Sequence, residues 1–237
     1  MSMLAVERID VFIQASHILR RVSLEVGERE VVCLVGRNGA GKTTTLRTIM
    51  GYLRPHNGRI RFREHEIQGR RTHEIARLGL GFAPEDSGIF PDLTVAENIE
   101  ISTWTQPAGR PAAERIELAY QVFPALRRYM QRKAPEMSGG ERKMLSIARA
   151  LALDPEMLLL DEPFEGLSPA IIPTVSEGIA EITGLGHSIL IAESNIHHVP
   201  EFATRLYVIE RGEIIFAGRP DAVNDDRAVM RVIGGAA

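Results

Sequence analysis

The sequence predicts an α/β fold built around a mostly parallel sheet, and three observations lead to this prediction. The segment VVCLV at 31–35 is entirely apolar, which is typical of a central parallel strand buried on both faces. Strand-like and helix-like segments alternate after residue 153. Residues 87–153 carry apolar side chains at helical spacing, which indicates a helical insertion between these two parts.

The amino-terminal part of the chain begins with strand patterns. Residues 4–13, 17–26 and 30–35 are typical of β segments, with a turn at Gly27 and Glu28 before the last of them. The predicted elements that follow are a helix over 43–50, ended by Gly51, and strands around 59–62 and 78–83.

The carboxyl-terminal part returns to alternating strands and helices. The predicted elements are strands at 157–160, 188–192, 205–209 and 213–217, a helix near 171–182 and a short helix after Asn195. We predict a single domain over 1–237. Its core comprises 1–86 and 154–237, and the helical subdomain covers about 87–153.

Composition excludes some classes of protein. The formal net charge of −3 gives no overall positive field, so we expect no nucleic-acid partner. The longest apolar runs, such as 157–160, fall far short of the roughly 20 residues that a membrane-spanning helix needs. The single cysteine, Cys33, lies within an apolar run, and the amino terminus lacks a signal pattern, so we expect a cytoplasmic setting.

The segment GRNGAGKT at 36–43 has the pattern of a phosphate-binding loop between a strand and a helix. Glycines let backbone N–H groups point inward, and the helix amino terminus adds positive potential for phosphates. We expect Lys42 to neutralise phosphate charge and the Thr43 hydroxyl to bind Mg²⁺. The predicted nucleotide contacts in this region are Gly36, Arg37, Asn38, Gly39, Ala40, Gly41, Lys42, Thr43 and Thr44.

Two carboxylates end the apolar segment MLLLDEP at 157–163. Parallel strands bring their carboxyl ends to one edge of the sheet, so both side chains are expected near the phosphate loop. Asp161 would hold Mg²⁺, and Glu162 would orient or deprotonate the attacking water. An apolar strand ending in Asp-Glu is ordinary by itself, and only the loop makes it a candidate active site.

The segment MSGGE at 137–141 begins an amphipathic helix. Ser138 and Glu141 have the spacing of a capping box, so a well-capped helix start is a sufficient structural explanation. The same geometry leaves the amides of Gly139 and Gly140 available to an anion, in the field of the helix dipole.

Together, 36–43, 137–141, 158–162 and 165–169 resemble the motif set of ABC ATPases, and the likeness covers nearly the whole chain. The resemblance implies a P-loop NTPase fold of ABC type. Such a fold has a mostly parallel core sheet, an antiparallel β subdomain and an inserted α-helical subdomain. Segments such as SHILRRVSLEV and PEDSGIFPDLTVAENI are most similar to the ATPase subunits of branched-chain amino acid importers.

This resemblance implies a set of ligands and partners. ATP and Mg²⁺ are the expected cofactors, and Ser138, Gly139 and Gly140 would contact the γ-phosphate of ATP held by a second cassette, in a homodimer or heterodimer. Transmembrane permease subunits would be direct partners on the cytoplasmic face of the cell membrane. A periplasmic or extracellular solute-binding protein would be an indirect partner.

Three positions depart from the family pattern. Glu85 stands where a Gln usually contacts Mg²⁺, and a carboxylate can still serve as a ligand there. Ser194 stands where a His or Gln usually reaches the γ-phosphate, and losing such a contact costs roughly 10²- to 10³-fold in rate. Ile13 takes the place of the adenine-stacking aromatic residue, with Phe12 beside it.

Two histidines, His197 and His198, follow this region without any metal-ligand spacing. Adjacent helical residues do not share a face. We therefore expect both to be solvated helix residues.

The departures leave three functional hypotheses. The first is an ATPase that powers import of a small solute, an amino acid or urea-like compound. In the second, Glu85 and Ser194 make the chain a hydrolytically weak, nucleotide-gated cassette that is paired with a more active sibling. The third is a soluble ABC protein of DNA repair or translation, which the absence of a coiled-coil insertion or a second cassette disfavours.

Overall fold

The computed structural model describes residues 2–104 and 109–233, so Met1, 105–108 and 234–237 lie outside the described residues. The strands are β1 (Ser2–Ile13), β2 (Ser16–Gly27), β3 (Val31–Val35), β4 (Asn57–Phe62), β5 (His65–Glu66), β6 (Leu80–Ala83), β7 (Met157–Asp161), β8 (Ser188–Glu193), β9 (Arg205–Glu210) and β10 (Glu213–Gly218). The helices are α1 (Lys42–Ile49), α2 (Thr72–Arg77), α3 (Val95–Ser102), α4 (Ala112–Val122), α5 (Pro124–Arg127), α6 (Gly139–Leu151), α7 (Ile172–Gly184) and α8 (Arg227–Ile233). Short 3₁₀ turns lie at Ala134–Glu136, Ile196–His198 and Asp221–Asp225.

The larger sheet has six strands in the order β10-β9-β3-β8-β7-β6. Five of them run parallel, and β10 pairs antiparallel with β9 at one edge. All five residues of β3 are buried, as its apolar sequence predicts for a strand covered on both faces. The predicted α/β fold with a mostly parallel core sheet is therefore confirmed.

A second sheet is antiparallel, with the order β2-β1-β4-β5. Alternate residues of β3 point to opposite faces of the core sheet, which divides the hydrophobic core in two. Val32 and Leu34 pack in a cluster with Leu46 and Ile49 of α1 and with the antiparallel sheet. Val31, Cys33 and Val35 pack in the other cluster, with apolar residues of α3, α4, α6 and α7.

Helices α3 to α6 lie between β6 and β7 in the chain, within the predicted helical insertion. Helix α6 buries one face, including Met144, Leu145 and Ile147, against the core. Among the described residues, no helix combines the length and apolar character needed to cross a bilayer.

Some local elements differ from the sequence prediction. Helix α2 and the two-residue strand β5 were not predicted, because neither is long enough to show an apolar period. The helix expected after Asn195 is a single 3₁₀ turn. The Asn195 side chain caps this turn, because its Oδ1 accepts a hydrogen bond from the His197 N–H at 3.0 Å. The prediction of two solvated histidines holds for the exposed His197 and is wrong for His198, which is half-buried.

Candidate active site

The phosphate loop joins the end of β3 to the start of α1 at the carboxyl edge of the core sheet. Gly39 and Gly41 have φ values of +80° and +117°, conformations that glycine adopts without strain. A Cβ atom at Gly36 would lie 2.3 Å from the carbonyl oxygen of Ile209, so only glycine fits at this position. No side chain of the described residues caps α1, so its first amide groups are available to a ligand.

Lys42 is buried within this loop, with 5% of its surface exposed. Its ammonium group donates to the carbonyl oxygens of Gly36 at 2.8 Å and Arg37 at 3.3 Å. It also forms an ion pair with Glu162, with 3.0 Å between Nζ and Oε1. The loop therefore holds a desolvated positive charge beside the candidate base.

The Thr43 hydroxyl donates to Oδ1 of Asp161 at 3.1 Å. The second carboxylate oxygen of Asp161, Oδ2, is buried and makes no hydrogen bond within the described part of the chain. Burial raises the pKa of Asp161 to about 6, the Thr43 hydrogen bond opposes this rise, and the nearby charges of Glu85 and Glu162 add to it. A cation beside Oδ2 would remove this electrostatic cost.

The residues present fit Mg²⁺, a hard cation that takes oxygen ligands. Thr43, Asp161 and Glu85 supply such oxygens, and the unpaired Oδ2 of Asp161 is the observation that supports the fit. The described residues contain no cluster of three or more His, Cys, Asp or Glu side chains that could hold a metal ion. Mg²⁺ is commonly bound through one or two carboxylates, with waters and phosphate oxygens completing its shell.

Glu162 follows β7 with a φ of +49° and is almost fully buried, at 3% exposure. A left-handed conformation of a non-glycine residue costs about 1 to 2 kcal/mol and is frequent at active sites. Its Oε2 accepts a hydrogen bond from the Ser194 backbone N–H at 3.0 Å, while Oε1 faces Lys42. Both carboxylate oxygens are thereby held at the edge of the phosphate loop.

The MSGGE segment lies at the start of α6. The capping box is present: the Glu141 N–H donates to Ser138 Oγ at 3.3 Å, and the Ser138 N–H donates to Glu141 Oε2 at 2.7 Å. Ser138 and Gly139 are exposed, and a Cβ atom at Gly139 would have no atom within 4 Å. No hydrogen bond or ion pair of the described residues joins Ser138, Gly139 or Gly140 to the phosphate loop.

Comparison with known proteins assigns these features to a family. A model of the ABC transporter family matches residues 19–165, which is more than half of the chain. The chain belongs to the ABC transporter family. This family consists of cassettes that bind and hydrolyse ATP, so the chain is an ABC ATPase.

Two relatives and one solved structure give the range of similarity. A lipopolysaccharide export system ATP-binding protein, LptB, of Acidithiobacillus ferridurans is 36% identical over 217 residues, covering 91% of this chain and 89% of the relative. BraG, a high-affinity branched-chain amino acid transport ATP-binding protein of Pseudomonas aeruginosa, is 35% identical over 213 residues, covering 90% and 91%. The ADP conformation of an ATP-binding cassette of an ABC transporter superposes with a TM-score of 0.85 at 28% identity, covering 100% of both chains.

The site of this ABC ATPase contains one acidic residue to which the sequence interpretation gave no role. Glu193 ends β8, is fully buried, and accepts a hydrogen bond from the Phe164 N–H at 3.0 Å. Burial and the charge of Glu162 raise the pKa of Glu193 to about 9. The available signal was SILIAE, an apolar strand that ends in a carboxylate, as MLLLDE does.

Ser194 and Ile13 were predicted to act through their side chains, and the structure shows the contacts that surround each of them. Ser194 reaches Glu162 through its backbone N–H. Ile13 ends β1 with 42% of its surface exposed, and the neighbouring Phe12 stacks on His17 at 4.2 Å between ring centroids. The roles of both residues toward ATP stay predictions.

Proposed function

We propose that ATP hydrolysis by this ABC ATPase powers import of a small solute through separate transmembrane permease subunits. A branched-chain amino acid, or a related amino acid or urea-like compound, is the solute class we propose. The similarity to BraG over 90% of the chain supports this proposal. The similarity to LptB, whose name describes export, is of the same degree, so the direction of transport needs its own test.

The convergence of Lys42, Thr43, Asp161 and Glu162 at one sheet edge carries the proposed hydrolysis. Lys42 would bind the β- and γ-phosphates, and the amides of 36–44 would surround them. Glu162 would accept a proton from the attacking water. Mg²⁺, held by Thr43, Asp161 and Glu85, would supply positive charge against the phosphate oxygens when bound.

A second cassette completes the site in this proposal. Ser138 and Gly139 are exposed at the start of α6, Gly140 beside them is buried, and among the described residues no hydrogen bond joins the three to their own phosphate loop. They would contact the γ-phosphate bound to the partner cassette, so that two chains, identical or different, share two sites. Ile13 would pack against adenine at the rim of the loop.

The proposed setting follows from the proposed partners. Permease subunits would hold the cassette at the cytoplasmic face of the membrane, and a periplasmic or extracellular solute-binding protein would act through them. Residues 1–237 would work as one cassette, with the core at 1–86 and 154–237 and the helical subdomain at about 87–153.

The proposal is tested by purifying the cassette with its permease subunits and reconstituting the complex in vesicles that contain ATP. Branched-chain amino acids, each with its binding protein, should stimulate ATPase activity. Accumulation of the amino acid inside the vesicles, on the side that holds ATP and the cassette, supports import. Movement of the amino acid out of the vesicles would show export. Stimulation by a lipid substrate, without any response to amino acids, would overturn the solute class.

A second candidate function is favoured by the position of Ser194. Its backbone N–H contacts Glu162, and its short side chain stands where the family resemblance implies a His or Gln that reaches the γ-phosphate. The chain would then be a hydrolytically weak, nucleotide-gated cassette beside a more active sibling. ATPase measurements on the purified chain, alone and with the sibling, separate the two functions, because brisk activity alone excludes the weak cassette.

A further inference from the structure

A second carboxyl group lies directly behind the candidate base. Glu193 ends the strand next to β7, and the residues on either side of it bond to Glu162: the carbonyl oxygen of Ala192 accepts from the Glu162 N–H at 2.9 Å, and the Ser194 N–H donates to Oε2 of Glu162 at 3.0 Å. Its surroundings fix it closely: the Phe164 N–H holds Oε1 at 3.0 Å, and Nδ1 of His198 lies 3.2 Å from Oε2. With no exposed surface, Glu193 cannot relieve its charge through water.

Two neighbouring carboxylates inside a protein cannot both be ionised without a large electrostatic cost. Lys42 forms its ion pair with Glu162, whereas Glu193 has no ion pair with a Lys or Arg side chain among the described residues. The groups facing Glu193 are Glu162 just after β7, His198 on the following 3₁₀ turn and the more distant Lys143 on α6. The neutral, protonated form of Glu193 is therefore the one that this environment favours, in agreement with its raised pKa.

His198 is placed to control this carboxyl group, whereas its neighbour is not. Its ring packs edge-on against Phe164, with 6.0 Å between ring centroids, and its side chain is 22% exposed. His197, one residue earlier on the same turn, is exposed. The chain thus offers two adjacent histidines of which one contacts the buried acid.

We propose that Glu193 and His198 are positioning residues for ATP hydrolysis, holding the Glu162 carboxylate in the orientation that the attacking water requires. His198 donates from Nδ1 to Glu193, and the proton of Glu193 is donated in turn to Glu162. This chain of hydrogen bonds would add a third contact to the Glu162 carboxylate, whose Oε1 is held by Lys42 and whose Oε2 is held by the Ser194 N–H. The inference rests on the proposed role of Glu162 as the base.

The first test compares isosteric substitutions at the two histidines in the purified cassette, paired with its partner if it is active only then. Asn places an amide where His198 has Nδ1, while Leu has the same shape without polar atoms. We expect His198→Leu to lower kcat by up to about 100-fold, because small misplacements of catalytic groups have effects of this size. KM for ATP should change little, His198→Asn should recover most of the loss, and His197→Leu should match the wild type.

Equal activity of His198→Leu and His197→Leu would overturn the inference. So would a loss in His198→Leu that His198→Asn fails to recover while thermal melting shows both variants folded. A loss that appears in KM instead of kcat would place His198 in nucleotide binding and would equally contradict the proposal.

The second test addresses the protonation state of Glu193. Gln mimics a neutral acid that donates a hydrogen bond, and Leu cannot donate. We therefore expect Glu193→Gln to retain a kcat about 10-fold above that of Glu193→Leu. Equal losses in the two variants would overturn the proposed donation to Glu162.

A parallel Glu162→Gln variant separates the failure of this inference from that of the proposed function. If Glu162→Gln turns over ATP normally, Glu162 is not the base and the proposed function fails at that residue. If Glu162→Gln is inactive while His198→Leu and Glu193→Leu are fully active, only the positioning inference fails.

Discussion

The phosphate loop and the start of α6 are two helix amino termini proposed to bind phosphate, and they differ in how the rest of the chain surrounds them. The loop is buried, and its Lys42 and Thr43 have partners on β7 and just beyond it. The start of α6 is exposed at Ser138 and Gly139, with its capping box satisfied locally. A locally satisfied and exposed terminus could contact another molecule without any change in its own fold, as the proposed contact with a second cassette requires.

Among the substitutions that test this comparison, replacement of the proposed base, Glu162, is expected to change ATPase activity most. Glu162→Gln should lower kcat by about 10²- to 10⁴-fold, because the amide cannot accept a proton from water. ATP binding should persist, and the ATP-bound dimer should accumulate. Steady-state turnover and size-exclusion chromatography with ATP check this, and normal turnover would remove Glu162 from its proposed role.

An acidic residue at the open terminus should act on the shared site alone. Gly139→Asp introduces a carboxylate where ATP of the partner would bind, and we expect a loss of about 100-fold in ATPase activity. The melting temperature should not fall, since a first-turn acid suits the helix dipole and no atom lies within 4 Å of the new Cβ. Undiminished activity in a stable variant would show that this terminus does not face a nucleotide.

A matched pair of glycine substitutions should separate the two regions by stability. Gly36→Ala places a Cβ atom 2.3 Å from a backbone oxygen of Ile209, and we expect a loss of about 2 kcal/mol in the free energy of unfolding. Gly139→Ala should leave that free energy unchanged or slightly higher. Urea denaturation of both variants measures the contrast, and equal stabilities would contradict the difference in packing.

The smallest expected effect concerns pH and the buried acid behind the loop. The pKa of Glu193 is about 9 in the folded chain, against an ordinary value of 4.5, so the folded state keeps a proton that the unfolded state releases between these values. Stability is therefore lost as pH rises from about 4.5 toward 9. Glu193→Gln removes this dependence, which amounts to about 1 kcal/mol of unfolding free energy per pH unit between pH 4.5 and pH 8. Melting curves at the two pH values check it, and an unchanged pH dependence would mean that Glu193 is ionised in the fold.

Much of the site around the phosphate loop could be predicted from sequence, because its residues are close in the chain or end neighbouring strands. The phosphate loop spans eight consecutive residues, and MLLLDE ends a strand that parallel packing brings beside it. The contact of Glu193 with His198 escaped prediction because the histidine pair lacked a recognisable spacing and the turn that carries it is too short to show a period. Ser194 shows the same limit in another form, since any residue with a backbone N–H could make its contact with Glu162.

The start of α6 could be predicted only in part. The sequence MSGGE predicted a capped helix start, and the structure contains the capping box that its spacing predicted. Its use in a shared site depends on a second molecule, whose position no pattern within one chain encodes. The ABC family resemblance supplied that partner, and the structure adds that the terminus is free of its own loop among the described residues.

The ion pair between Lys42 and Glu162 links the two halves of the proposed site. The ammonium group proposed to bind the phosphates lies 3.0 Å from one oxygen of the carboxylate proposed to act on the water. A phosphate bound by Lys42 would therefore share that ammonium group with Glu162. Binding of the nucleotide and placement of the base would then depend on a single side chain.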